Sequence, residues 1–140
     1  VERFEYNGAT LVDEISGDPA SRHMFFLHGW GGSRESLRGI GTLFSHTHRV
    51  HLLDLPGFGA APTPPETWGT IEFADLVQEY ILQRTTGPVV LVGHSFGGRV
   101  SLRLASRRLA QIRELVLMGV PGLPQPAFSR AGLRRSGIRM

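Results

Sequence analysis

Residues 89–98 read Val-Val-Leu-Val-Gly-His-Ser-Phe-Gly-Gly, four apolar residues running straight into a serine set among glycines. An unbroken apolar run of this length is the mark of a parallel strand buried on both faces. The stretch that follows, FGGRVSLRLASRRLA, carries Phe96, Val100, Leu104 and Ala105 at helical spacing. Ser95 therefore falls in a tight strand-to-helix turn. Gly93 and Gly97 stand two residues before and after it, where a side chain would collide with neighbouring backbone. Such a turn lifts Ser95 clear of the sheet and aims its hydroxyl into open space. Alanine or glycine would suit the turn as well, so the hydroxyl calls for a reason, and nucleophilic chemistry supplies one. A dinucleotide-binding glycine loop fails on spacing, because G-x-G-x-x-G requires glycine where Ser95 stands.

Outward from this turn the chain alternates. VERFEY and ATLVDEI, joined by Asn7-Gly8, predict a hairpin, since Asn-Gly supplies the positive φ angles of a two-residue turn. MFFLHG is the next strand. SRESLRGIGTLFSHT predicts a helix with Ser33 as N-cap and Leu37, Ile40 and Phe44 on its buried face. HRVHLLDLP predicts another strand, and PGFGAAPTPPETWG, dense in Gly and Pro, a long surface loop. TIEFADLVQEYILQRTT predicts a helix capped by Thr70, with Phe73, Leu76, Val77, Tyr80 and Ile81 in one stripe. After the serine turn and its helix, IRELVLMGV predicts a last strand. The expected fold class is α/β: a mostly parallel sheet with helices on both faces, led by an antiparallel hairpin.

Composition narrows the function. The chain of 140 residues and 15.4 kDa is long enough for one domain with a real core. No apolar run approaches the roughly 20 residues that cross a membrane. No basic-then-apolar leader is visible, which makes a cytoplasmic location the expectation. Absence of cysteine excludes disulfides and thiolate metal sites. All 15 basic residues are arginine. Residues 1–98 hold 6 of them against 11 acids, and residues 99–140 hold 9 against Glu114 alone. No aromatic residues interleave with the basic tail as a base-stacking platform needs, so nucleic acid is not an expected partner. His23, His46, His48 and His51 show no ligand spacing with nearby carboxylates, and no metal is expected.

Three motifs carry a resemblance. The order hairpin, strand-HGWGGS, strand-DLPGFG, helix, strand-GHSFGG, helix, strand resembles the N-terminal half of an α/β-hydrolase, with each motif at the C-terminal end of a strand, over nearly all of residues 1–122. HGWGG with HLLDLPGFG is most similar to the carboxylesterase branch that includes the pimeloyl-carrier-protein methyl ester esterase. The resemblance implies Ser95 as catalytic nucleophile and an oxyanion hole made by the backbone N–H groups of Trp30 and Phe96. It makes His28, Gly29, Gly93 and Gly97 supporting residues, with His28 holding the oxyanion loop rather than acting as base, and Asp54 a structural carboxylate. The side chain of Trp30 lines the acyl pocket or its entrance. His94 is read as pocket wall or packing.

The family's order of catalytic groups is Ser, then Asp or Glu, then His. After Ser95 the chain has Glu114 as its one acid and no histidine. The expectation is therefore residues 1–122 as the N-terminal part of the core, truncated after the sixth strand, and 123–140 as the start of a lid segment. The implied activity is hydrolysis of a small-molecule carboxylic ester through an acyl-enzyme, without cofactor, and catalytically incomplete within these 140 residues. A thioesterase, a cofactor-free haloperoxidase or a C–C bond hydrolase shares the same scaffold, and a non-catalytic binding protein could keep the fold without the triad. The last strand, left as an open apolar edge, is expected to promote self-association.

Overall fold

The computed structural model describes residues 1–121. The lid segment expected over 123–140 lies outside the described residues. The elements are β1 (Glu2–Tyr6), β2 (Ala9–Ser16), β3 (His23–Leu27), α1 (Glu35–Gly41) running into a 3-10 turn at Thr42–Phe44, β4 (Arg49–Asp54), α2 (Thr70–Arg84), β5 (Val89–His94), α3 (Phe96–Ser106) and β6 (Ile112–Met118). They form one six-stranded sheet in the order β1-β2-β4-β3-β5-β6. The hairpin is antiparallel and its second strand also meets β4 antiparallel, while β3, β4, β5 and β6 are mutually parallel. Asn7 and Gly8 both take positive φ, 49° and 77°, as the two-residue turn requires.

Chain direction reverses at the centre of this sheet. From β3 the chain steps to β4 on one side, then crosses back to β5 on the other. Right-handed crossovers in opposite directions must lay their helices on opposite faces. Accordingly α1 packs over Met24, Phe26, Val50 and Leu52, and α2 and α3 cover Phe25, Leu27, Leu53, Val89 and Leu91. A sheet covered on both faces explains the unbroken run Val89–Val92, in which no residue exceeds 5% exposure. The crevice of such a sheet opens beyond the carboxyl ends of the strands flanking the reversal. Those strands are β3 and β5, which end in His28-Gly29 and His94-Ser95.

The helices depart from expectation in instructive ways. The stripe on α2 is buried as read, but the helix begins after Gly69, whose N–H donates to Glu72 Oε2 at 2.8 Å. Thr70 is the first helical residue, and its hydroxyl accepts from Arg103 Nε at 3.0 Å. Helix α1 is shorter than predicted. Its N-cap position is Arg34 rather than Ser33, although Ser33 Oγ accepts the Glu35 N–H at 3.2 Å, and Ile40 and Phe44 remain 42% and 38% exposed. The reason is close approach through the i, i+4 pair Leu37 and Gly41. A Cβ at Gly41 would stand 2.6 Å from Leu52 Cδ2, so α1 seats on that row and turns Ile40 to the margin.

One buried polar chain crosses the core away from the crevice. Asp13 and His51, both at most 1% exposed, are joined by a 2.5 Å hydrogen bond from His51 Nδ1, and the Tyr80 hydroxyl donates to the same carboxylate oxygen. His51 Nε2 faces His23 Nδ1 at 2.7 Å, and the His51 ring stacks on Phe25 with centroids 4.1 Å apart. Burial, then the neighbouring His51 and Arg49, lowers the His23 pKa to about 4. Between about 4 and 6.5 the unfolded chain therefore binds a proton at His23 that the folded chain does not. Stability should fall as pH drops through that window. Urea midpoints at pH 7, 5.5 and 4 test this: His23→Gln should show a shallower decline than the parent, and parallel declines would refute it.

Candidate active site

The Ser95 turn is tighter than any regular element permits. Ser95 takes φ 51° and ψ −112°, a left-handed conformation that side chains other than glycine rarely adopt. Residues held in such sparsely populated regions cost about 1–3 kcal/mol each and persist where the surroundings over-determine them. Here the surroundings do so. The Ser95 N–H donates to Met118 O of β6 at 3.0 Å, and its carbonyl accepts from Arg99 N at 3.1 Å. A Cβ at Gly93 would stand 2.5 Å from Gly98 Cα, and one at Gly97 would overlap the carbonyl oxygens of Leu27 and His28. Both flanking glycines are thus demanded by close approach of backbone, as the sequence predicts.

The HGWGGS loop lies against this turn. Gly32 N donates to Gly29 O at 3.0 Å, closing a four-residue turn, and Gly31 at φ 78° fills the position where a type II turn needs positive φ. A Cβ built at Gly29 would stand 3.3 Å from the Ser95 Cβ and 3.1 Å from His94 Nδ1. The backbone that carries Trp30 therefore reaches the serine. Phe96 opens α3, and its N–H belongs to the first turn, where no helical carbonyl can accept it. The positive end of the helix dipole lies at the same place.

His28 fastens the loop. It is fully buried; its Nδ1 donates to Gly29 O at 2.7 Å, and its Nε2 accepts the Leu55 N–H at 3.1 Å. These two bonds fix the neutral tautomer, and burial holds the pKa below its ordinary value. With both ring nitrogens engaged, His28 is not placed to take a proton from Ser95. Asp54 is equally committed. Its carboxylate accepts from Arg34 N at 2.7 Å, Arg34 Nη1 at 2.8 Å and Ala60 N at 3.0 Å, tying the start of α1 to the DLPGFG loop. His94 is exposed, and its ring spans from Gly29 to Gly119, where a built Cβ would meet Nε2 at 3.6 Å. Glu114 lies at the opposite end of the sheet, paired with Arg22 at 2.8 Å.

Comparison with known proteins agrees with this architecture. A family described as the alpha/beta hydrolase fold matches residues 22–134, most of the chain. The chain belongs to the α/β-hydrolase-fold family. Among solved structures, a hydrolase from Pseudomonas aeruginosa PA01 is 22% identical with a TM-score of 0.80, over 90% of this chain and 48% of that one. The haloalkane dehalogenase DbeA from Bradyrhizobium elkani USDA94 is 25% identical with a TM-score of 0.78, over 85% of this chain and 41% of that one. A marine microorganism esterase is 21% identical with a TM-score of 0.73, over 91% and 48%. The chain thus spans less than half the length of these three structures. Their diversity singles out no branch, so the narrower likeness to the pimeloyl-carrier-protein esterase rests on the sequence motifs alone.

Sequence reasoning missed the Asp13–His51–Tyr80 network. Its signal was alternation: Asp13 continues the buried series Ala9, Leu11, and His51 begins the series Leu53, Leu55. Among the described residues no cluster of three or more metal-ligating side chains occurs, and no helix is long and apolar enough to cross a membrane.

Proposed function

We propose that the chain is the nucleophile-bearing half of a serine hydrolase that acts on carboxylic esters. The observation that carries this reading is the strained Ser95, presented at the carboxyl end of β5, with Gly29 so near that an added Cβ there would stand 3.3 Å from the Ser95 Cβ. Ser95 Oγ attacks the ester carbonyl, its proton passes to a base, and the carbonyl oxygen becomes an oxyanion facing the Trp30 and Phe96 N–H groups. Collapse expels the alcohol, which recovers that proton, and water then cleaves the acyl-serine ester to regenerate Ser95.

Chemistry separates this from dehalogenation. A serine that displaced halide from a saturated carbon would form an ether, which water does not cleave, so the enzyme would stop after one event. An acyl-serine ester is hydrolysable. Thioesters pass through the same acyl-enzyme, so a thioesterase remains within the proposal. A binding protein that keeps the fold without turnover is the second reading. Among the described residues β6 is the last strand of the sheet, with Val116 44% exposed, and we propose that self-association, where it occurs, pairs a second chain there.

The oxyanion role has its own test in the complete gene product. Because a backbone N–H is donated, Trp30→Phe should keep turnover within about tenfold while altering acyl preference. Gly31→Val faces no steric neighbour but must hold φ 78°, so it should distort the turn and cost about 3 kcal/mol of transition-state stabilisation, a hundredfold or more in kcat. Parent-like kcat in Gly31→Val would remove the loop from the mechanism.

A further inference from the structure

A pocket of ≈ 400 Å3 lies against the loop 56–68 and shares Trp30 with the HGWGGS loop beside Ser95. Trp30, Phe58, Pro64, Pro65, Trp68 and Phe73 form most of its wall. Edge-to-face contacts join these rings to the serine turn in one series. Trp68 meets Phe73 at 5.4 Å, Phe73 meets Phe96 at 5.2 Å, Phe96 meets Trp30 at 5.2 Å and Trp30 meets Phe58 at 4.9 Å. Phe96 directly follows Ser95, so the series of rings runs through the residue beside the serine. Among the described residues Trp30 leaves 69% of its surface exposed. The ionisable residue among those lining the pocket, Glu66, is acidic.

The pocket is also preformed. Gly57 N donates to Pro62 O at 2.8 Å, Phe58 N to Leu55 O at 3.0 Å and Ala61 N to Phe58 O at 2.9 Å, and the neighbouring prolines restrict the same loop. A rigid site spends little free energy on ordering itself.

We propose that this pocket holds an uncharged aromatic ring of the substrate, in preference to a straight alkyl chain of equal carbon number. The proposal rests on Ser95 as nucleophile only in calling the bound molecule a substrate. A planar ring entering between Trp30 and Trp68 extends the edge-to-face series, a gain of roughly two- to tenfold in affinity per ring pair beyond simple burial. A flexible chain gains no such pairing and loses rotational freedom on entry. Glu66 disfavours an aryl carboxylate by like charge.

Ketones test this without cleavage, because a ketone places a carbonyl at the serine but has no leaving group. Calorimetric titration uses the 140-residue chain carrying Ser95→Ala, with acetophenone, 2-octanone and 4-acetylbenzoate as probes. Acetophenone should bind about tenfold tighter than 2-octanone although it is the less hydrophobic of the two, and 4-acetylbenzoate should bind more weakly than acetophenone. Trp30→Ala and Trp68→Ala should each reduce acetophenone affinity about five- to tenfold and leave 2-octanone within about twofold. Trp30→Phe and Trp68→Phe, which keep a ring and protect the fold, should retain the preference. Equal affinities, a preference for 2-octanone, or a preference that survives both alanine variants would overturn the proposal. So would absence of any ketone binding, the result expected if another segment of the chain fills the pocket. Since the titration lacks the Ser95 hydroxyl, its outcome is independent of whether that hydroxyl is the nucleophile.

Discussion

Ser95→Ala in the complete gene product should lower ester turnover by about four to six orders of magnitude, the range for loss of a nucleophile whose partners then have nothing to activate. The fold should survive, because Ala fits the same space and the turn is held by backbone bonds to Met118 and Arg99. Ser95→Gly sharpens the test. It should be as inactive as Ser95→Ala yet more stable than the parent. Relief of φ 51° recovers about 1–3 kcal/mol, against which glycine loses roughly 0.5–1 kcal/mol of extra chain entropy on folding. A net gain of about 1 kcal/mol is expected, read as a higher urea midpoint. A destabilised Ser95→Gly would mean that the turn stores no strain, and turnover within tenfold of the parent in either variant would mean that another group attacks the substrate.

Gly97→Val should be the most damaging change at a site without a functional side chain. Its Cβ would overlap the carbonyl oxygens of Leu27 and His28, which end β3 and begin the HGWGGS loop. Neither is the tip of a flexible side chain. Overpacking of this kind costs about 1–3 kcal/mol, and backbone neighbours place it at the upper end. The displaced loop carries Trp30 and His28, so turnover should fall with stability. Gly39→Ala is the contrasting change: nothing lies within 4 Å of a Cβ there, α1 is helical, and about 0.5–1 kcal/mol of stabilisation is expected. Thermal unfolding of the two variants side by side checks both, and a Gly97→Val protein as stable as the parent would contradict the close-approach argument.

The sequence was most readable where one cause dominates. The run Val89–Val92 announces a strand covered on both faces, and the Gly93 and Gly97 spacing announces a turn pressed against backbone. Each follows from local sterics. Reading failed where tertiary contacts choose between equal local options. Nothing in SRESLRGIGTLF says that α1 will seat on Leu37 and Gly41, because the deciding partner, Leu52, lies in a different strand. The sequence reading puts the cap at Thr70, whereas the Glu72 side chain takes the Gly69 N–H and the helix starts at Thr70 itself. The role of His28 was legible only through resemblance. Its two hydrogen bonds, to Gly29 and Leu55, join loops that the sequence places 27 residues apart. The aromatic series from Trp68 to Phe58 was invisible for the same reason.

Covalent capture tests the central claim most directly. The complete gene product, treated with a fluorophosphonate and digested, should yield one modified peptide with the phosphonyl group on Ser95, and the Ser95→Ala protein should remain unmodified. An adduct on any other serine, or equal labelling of the Ser95→Ala protein, would contradict the assignment of Ser95 as the nucleophile.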